Sequence, residues 1–333
     1  MNFRQDTKIK QTNLAHKVIT AKMINIDNHF KNETYDINKV YRFLKKPKKF
    51  TNFGYVTIIF IDSKYISTIL NTGYTLKKNT DNDIICFVQD KPAYGFPGLT
   101  IDEINDIKKI YDVVIGIDLC NINTVNTETN ETYINITYYC TKSLCVGFSY
   151  YKKLIYLDAS TFIIKNIDLL FEKYDKSTYY ITKYTNIGLV GNFYIFIPAK
   201  YYFFKAQYLI KNYNTVFKNH NTLYTIDETI TFYTIFPNWN RKPLNTECFQ
   251  FNWSINPYPI KHKYNYSIHI YMIEKQFRYS IAPNIKNRNM FSLNYAYLYT
   301  WDLAVKKLIK KFPDFIKCFD IFKVFNKIRK FFN

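Results

Sequence analysis

Apolar runs rich in β-branched residues alternate with segments of helical apolar spacing between residues 55 and 158, and this alternation most constrains the fold. Such runs are typical of strands in a sheet that is buried on both faces. Strands that alternate with helices favour an α/β fold with a mostly parallel central sheet and helices on both of its faces. The predicted strands are 55–61, 83–89, 113–119 and 153–158, and the predicted helices are 66–78, 101–112 and 141–151. Farther along the chain, a helix is predicted over 203–217.

The segments on either side of this region have a different composition. Residues 1–51 are polar and basic and include RFLKKPKKF at 42–50, which predicts an N-terminal extension with a boundary near residue 50. In the tail, 286–333, apolar residues recur at helical spacing between Lys and Arg, with an interruption at Pro313. The tail is therefore predicted to be a basic amphipathic helix. It would pack on the domain, lie on an anionic membrane surface, or bind nucleic acid or a protein partner.

The chain is strongly basic, with 46 Lys and Arg against 26 Asp and Glu, a net charge of +20. A charge of this size attracts polyanions such as nucleic acid, anionic lipid or phosphorylated substrates. Asn, Ile, Tyr and Phe are abundant too, and their codons are as A/T-rich as those of Lys. An A/T-rich genome would produce much of this charge without selection for binding, so both explanations stay open.

Three further features indicate a cytoplasmic protein. No run of 18 apolar residues predicts a transmembrane helix, and the first residues lack the apolar segment of a secretory signal. The six cysteines form no CxxC pair, and most lie beside apolar residues, which is typical of buried reduced thiols. We expect any association with a membrane to be at its surface, through the tail.

The stretch 156–171, YLDASTFIIKNIDLLF, ends a buried strand on an acid. Ligands of parallel α/β sheets bind beyond the carboxyl ends of the strands, which is where Asp158 is predicted to lie. A carboxylate there can hold a divalent cation, and two acids in an Asp-x-Asp pattern would point the same way on an extended chain. Here the third position is Ser160. The alternative for Asp158 is a turn cap, and Asp168 is predicted to cap a helix.

The stretch 141–161, TKSLCVGFSYYKKLIYLDAST, resembles the glycogenin-type, family 8 retaining glycosyltransferases. Their pattern is a Thr-Lys that opens a helix and a strand that runs into Asp-Ala-Asp-Thr. An Asn-(Ile/Val)-Asp-x-Leu-Phe segment follows, which NIDLLF matches. Weaker matches continue in the same order over about residues 52–280: 55–79, DVVIGIDL, DETITFYTIFPNWN and IHIYMIEKQF.

This resemblance implies a GT-A type fold with a Rossmann-like nucleotide-binding half over 52–285. It also implies a UDP-sugar donor, a Mn²⁺ ion and hexose transfer with retained anomeric configuration. Asp158 matches the acid that meets the metal and the nucleotide, and His269 matches a further metal ligand. Tyr65 matches the tyrosine that stacks on uracil.

The resemblance also assigns the residues around the transferred sugar. Lys142 and Lys275 match lysines near the donor sugar and its diphosphate. Asp227 matches the acid near the transferred sugar, and Glu228 stands where glutamine is usual. An oxocarbenium-like transition state with a departing phosphate needs cations at the diphosphate and a carboxylate or amide at the sugar.

The sequence departs from the family pattern at four further places. Ser160 replaces the second acid, VGN at 190–192 stands in place of Asn-Ser-Gly, Met272 replaces a glycine and Phe277 a tryptophan. A site with one carboxylate and one imidazole should bind metal more weakly than one with two acids.

The sequence therefore predicts a hexosyltransferase that acts from a UDP-sugar on a protein, glycan or lipid acceptor. One alternative is a pseudoenzyme that binds nucleotide-sugars as a sensor or scaffold, which UDP binding without transfer would indicate. The other is a basic protein that binds membrane surfaces or nucleic acid. Salt-sensitive binding to anionic vesicles or DNA that is lost without the tail would indicate it.

Overall fold

The structure is a computed structural model that describes residues 19–60, 66–124, 135–136, 138–159, 161–163, 166–173, 179–180, 193–217, 226–235 and 267–269. The strands are β1 (Arg42–Lys45), β2 (Phe53–Ile59), β3 (Asp83–Val88), β4 (Val113–Gly116), β5 (Asn123–Thr124), β6 (Asn135–Ile136), β7 (Lys153–Leu157), β8 (Thr161–Ile163), β9 (Tyr179–Tyr180), β10 (Phe193–Phe196) and β11 (Ser267–His269). The helices are α1 (19–31), α2 (Ile66–Lys77), α3 (Ile101–Ile110), α4 (Leu169–Lys173), α5 (Lys200–Lys211), α6 (Tyr213–Val216) and α7 (Ile226–Ile235), with 3₁₀ helices at Ile37–Lys39 and Tyr138–Gly147.

The main sheet has seven strands in the order β1-β4-β3-β2-β7-β10-β9. The central strands β4, β3, β2 and β7 pair in parallel, whereas β1 and β10 run antiparallel to their neighbours. Strand β9 reverses direction again against β10, so that five of the seven strands run the same way. The chain builds outward from β2 to β4 and then crosses back to β7, which is a Rossmann-like order. The predicted α/β fold with a mostly parallel sheet is confirmed.

Both faces of this sheet are covered because its central strands are apolar on both sides. In β2, Val56 and Ile58 belong to one core cluster, and Tyr55 and Ile59 belong to the other. The second cluster also contains buried residues of α2, α3 and α4, whereas the first contains those of α1, α5, α7 and the longer 3₁₀ helix. The prediction of helices on both faces is confirmed.

Part of the predicted N-terminal extension packs with this domain. Met23 of α1 is fully buried in the core, and β1 forms the edge of the main sheet beside β4. Tyr41 donates a hydrogen bond to the carbonyl oxygen of Leu144 at 2.8 Å. Residues 19–51 thus include core and sheet residues, while the domain limits at 52 and 285 stay predictions. The tail, 286–333, lies outside the described residues.

Two predicted helices differ from the observed elements. The segment predicted as a helix over 141–151 is a 3₁₀ helix that ends at Gly147. Its Thr and Ser side chains form hydrogen bonds with main-chain groups, as Ser143 does with the carbonyl oxygen of Cys140, and this competes with regular α-helix formation. The helix predicted over 203–217 is divided into α5 and α6 at Asn212, whose ψ of 19° interrupts the α-helical run.

Within the part of the chain that the structure describes, no helix combines the length and the apolar character needed to cross a bilayer.

Candidate active site

Asp158 directly follows β7 at the carboxyl edge of the parallel strands and is half-buried. Strands β2 and β7 are adjacent and parallel, and the strand order continues from β2 to β3 in one direction and from β7 to β10 in the other. A crevice opens at such a switch point, and nucleotides bind there in open α/β sheets. The fold therefore places the sequence-predicted acid at the expected ligand site.

Polar side chains of α2, and of Asn79 in the turn just after it, hold the segment that follows Asp158. Thr72 donates a hydrogen bond to the carbonyl oxygen of Ala159 at 2.6 Å, and Thr75 accepts one from the amide of Ile163 at 3.2 Å. Asn79 donates to the carbonyl oxygen of Ile163 at 3.1 Å. Our sequence prediction did not identify these positioning residues. Their spacing of three and four residues on one face of a helix was the available signal.

His269 reaches the same loop through strand pairing. Strand β11 runs antiparallel to β8, and His269 lies opposite Thr161, three residues after Asp158. The structure describes His269 through its backbone. The pairing of β11 with β8 brings a strand from late in the chain to the turn that follows Asp158. The predicted metal site requires these two segments to lie close together.

Lys142 and Asp227 form an ion pair between the longer 3₁₀ helix and α7, and each side chain is 12% exposed. Thr141 fixes the helix by accepting a hydrogen bond from the amide of Cys120 at 2.9 Å, in the segment that follows β4. Lys142 therefore lies at the carboxyl edge of the sheet. Within α7, Thr231 donates a hydrogen bond to the carbonyl oxygen of Asp227 at 2.9 Å. Two residues predicted to act together are thus in contact.

The thiols around this pair are kept protonated. Burial is the main cause that raises the pKa of Cys120 to about 11 and that of Cys145 to about 12. Burial also raises the pKa of Cys140, and nearby Asp227 raises it further. These cysteines and Cys86 are unbridged, which agrees with the predicted reduced thiols and does not suit a nucleophilic role.

A second charged cluster lies farther along the same edge. Arg42 of β1 donates a hydrogen bond to Asp90 at 2.6 Å, beyond β3, and pairs with Asp118 at 2.9 Å, beyond β4. The hydrogen bond to Asp90 is the main cause that raises the pKa of Arg42. A Cβ atom on Gly116 would lie 2.5 Å from the Asp90 carboxylate, so only glycine admits this arrangement. Sequence reasoning did not identify this cluster, because it depends on β1 joining the sheet.

The other predicted site residues are not described to the same extent. Glu228 lies in α7 beside Asp227, and nothing is described of its side chain. Tyr65, Ser160 and Lys275 lie outside the described residues. Among the described side chains, no group of three or more His, Cys, Asp or Glu residues could hold a metal ion. The assignments of Mn²⁺ and UDP stay predictions.

Comparisons with known proteins found no matching family model. The chain is 31% identical over 124 residues to an uncharacterized protein, R707, of Acanthamoeba polyphaga mimivirus. The match spans 37% of this chain and 41% of that relative, so the chain matches well under half of its length.

Several solved structures resemble part of the chain. They include the apo form of the glycosyltransferase GlyE of Streptococcus pneumoniae, with a TM-score of 0.39, 16% identity and coverage of 61% of this chain and 46% of that one. The bifunctional glycosyltransferase WbbM has a TM-score of 0.36, with 13% identity and coverage of 61% and 40%. The galactosyltransferase LgtC has a TM-score of 0.34, with 11% identity and coverage of 55% and 70%. These similarities leave the reaction of this chain open.

Proposed function

We propose that this protein is a glycosyltransferase that transfers a hexose from a UDP-sugar, with retention of configuration, to a protein, glycan or lipid acceptor. The observation that carries the proposal is the pairing of β11 with β8. It brings the backbone of His269 to the loop of Asp158 at the switch point of a Rossmann-like sheet. The strand that carries the histidine thus pairs with the strand that follows the acid, at the edge where nucleotides bind in such folds.

Asp158 and His269 would hold a divalent cation, and Mn²⁺ accepts both a carboxylate and an imidazole. A bound cation would neutralise charge on the departing diphosphate. Two protein ligands leave several positions open, and oxygens of the donor diphosphate would fill them. We therefore expect weak metal binding without nucleotide and tighter binding with it.

The ion pair of Lys142 and Asp227 provides both charges that the reaction needs. The lysine would move toward the diphosphate as negative charge develops there, and the carboxylate would face the sugar as positive charge develops on its ring. Lys275 would assist at the diphosphate, Glu228 at the sugar, and Tyr65 would stack on uracil. Before the donor arrives, the ion pair keeps both side chains at the carboxyl edge of the sheet.

The test is a calorimetric titration of UDP into the protein, with Mn²⁺ and with EDTA. We expect Mn²⁺-dependent binding in the wild type, its loss in Asp158→Asn, and its retention in Asp106→Asn. The last variant makes the same charge change on α3, where Asp106 pairs with Lys109 at the surface. If UDP fails to bind in both conditions, the proposal is wrong. If it binds, turnover of UDP-glucose, UDP-galactose and UDP-xylose identifies the donor.

A second candidate is a nucleotide-sugar-binding protein that no longer transfers. Ser160 in place of the second acid favours it, because a hydroxyl is a poorer metal ligand than a carboxylate. UDP-sugar binding without turnover of any donor would indicate it. A cytoplasmic location and association with anionic membranes through the tail stay predictions. Co-sedimentation with anionic vesicles, with and without residues 301–333, tests the latter.

A further inference from the structure

The loop between β3 and α3 carries a tight hairpin at its tip. Ala93 and Phe96 exchange two backbone hydrogen bonds, each of 2.9 Å, around the two-residue turn of Tyr94 and Gly95. The φ angles of these two residues are 51° and 81°. Positive φ at both central residues defines a type I′ turn, the tightest connection of a β-hairpin.

The base of this hairpin is firmly attached to the domain. Gln89 accepts a hydrogen bond from the amide of Leu99 at 2.8 Å, and its side chain donates to the carbonyl oxygen of Lys91 at 3.1 Å. Gly98 has a φ of 77°, and a Cβ atom there would lie 3.0 Å from the carbonyl oxygen of Gln89. The loop then ends in the capping box of Thr100, which begins α3. The tip therefore has a defined position.

Tyrosine is an unexpected residue at the first central position of this turn. Type I′ turns favour Asn, Asp or Gly there, because a bulky side chain is strained at positive φ. Tyr94 is nevertheless 56% exposed, so burial of its ring recovers little of that strain. The neighbouring Pro92 and Pro97 are exposed too. Turn preferences favour another residue at this place, so the exposed aromatic ring is a candidate for binding.

The hairpin lies at the same edge of the sheet as Asp158. It follows the carboxyl end of β3, and β3 is the neighbour of β2, which forms one side of the switch point. The hairpin thus extends from the carboxyl edge of the sheet, which is the edge at which we place the donor. The rigid turn and the two prolines would lose little conformational freedom when a ligand binds.

We propose that the Tyr94–Gly95 hairpin is a saccharide-binding platform on which a sugar ring of the acceptor stacks. The proposal rests on the proposed glycosyl transfer and names the acceptor class as a glycan. One face of a sugar ring carries C–H groups, which pack on the face of an aromatic ring, while its hydroxyls stay in water. The half-exposed ring suits such a ligand, because the platform needs no closed pocket.

The test compares Tyr94→Asn with Tyr94→Phe by saturation-transfer NMR. The probes are trisaccharides of glucose, galactose, mannose and N-acetylglucosamine. We expect at least one probe to bind the wild type, about tenfold weaker binding in Tyr94→Asn, and retention in Tyr94→Phe. The melting temperature of Tyr94→Asn should equal or exceed that of the wild type, since Asn-Gly is the preferred I′ pair. Loss of binding then cannot come from unfolding.

Other outcomes overturn the proposal in distinguishable ways. Equal saccharide binding by wild type and Tyr94→Asn, or no binding of any probe to the wild type, excludes the platform. Weaker UDP binding in Tyr94→Asn with unchanged saccharide binding would assign the ring to the nucleobase instead. If the wild type binds saccharide but not UDP, the platform is supported while the donor site, and with it the proposed transfer, fails.

Discussion

Two buried Lys–Asp pairs lie on the same face of the sheet, and they differ in their access to solvent. Lys205 of α5 donates to Asp27 of α1 at 2.9 Å, with side-chain exposures of 0% and 2%. Lys142 and Asp227 are each 12% exposed at the carboxyl edge. The first pair is closed to any ligand from solution, whereas the second can also meet a ligand.

The enclosed pair fastens the N-terminal helix to the domain. Asp27 accepts a second cation, Lys31, at 2.5 Å, and burial lowers the pKa of Lys205 to about 8. Two ordered charges hidden from water are stabilising only while they remain together. The comparison teaches that a Lys–Asp pair enclosed by the fold anchors one element to another. The same pair becomes a candidate for catalysis when the fold leaves it at a ligand-binding edge.

The largest expected effect comes from breaking the enclosed pair. Lys205→Met leaves Asp27 buried without its main partner and should lower the free energy of unfolding by about 3–5 kcal/mol. Chemical denaturation followed by circular dichroism measures this change. The double variant Asp27→Leu with Lys205→Met removes both charges and should recover most of the loss. A double variant as unstable as the single one would show that the pair is not the cause.

Breaking the edge pair should affect transfer more than stability. Lys142→Met should reduce the rate of sugar transfer about 10²–10³-fold, as the loss of a charge-stabilising group does. Its stability should fall by only about 1–2 kcal/mol, because water reaches both partners. Donor turnover and denaturation are measured on the same preparation. Lys205→Met, assayed well below its melting temperature, is the matched control that keeps its turnover. Unchanged turnover in Lys142→Met would show that the Lys142–Asp227 pair is structural, as the Lys205–Asp27 pair is.

The pH dependence of stability should distinguish the enclosed lysine. Its pKa of about 8 in the folded protein lies below the ordinary 10.5, so between these values the unfolded chain binds more protons. The free energy of unfolding should therefore rise with pH from about 8 to 10.5, relative to Lys205→Met, by on the order of 1–3 kcal/mol. Denaturation of both proteins at pH 7, 8, 9 and 10 measures the difference. A difference that falls with pH would contradict this assignment.

The smallest effect is expected for Lys31, the partner of Asp27 that remains in contact with solvent. Lys31 is 38% exposed and lies four residues from Asp27 on the same helix. Lys31→Met should lower the free energy of unfolding by about 0.5–1 kcal/mol, and the effect should shrink in high salt. Parallel denaturation in 0.05 and 0.5 M NaCl measures it. If Lys31→Met destabilised the protein as much as Lys205→Met does, solvent exposure would not explain the difference between the two lysines that bind Asp27.

The sequence predicted the central part of the fold because its signals are local. The continuous apolar runs of β2, β3 and β7 indicate strands that are buried on both faces. The helical apolar spacing of α2 and α3 indicates helices that are buried on one face. The position of Asp158 followed from the same pattern, since it ends the last of these strands. The 3₁₀ helix at 138–147 was not predicted, because its form depends on side-chain hydrogen bonds that apolar spacing does not record.

By itself, then, the sequence determined the α/β class, the strands of the parallel centre and the acid at the end of β7. Only the tertiary structure decided which charges meet: Lys205 with Asp27, Lys142 with Asp227, and Arg42 with Asp90. The physical reason is the separation along the chain, which is 178 residues for Lys205 and Asp27. Local periodicity specifies which face of an element is buried, but the partner across that face depends on how the elements pack.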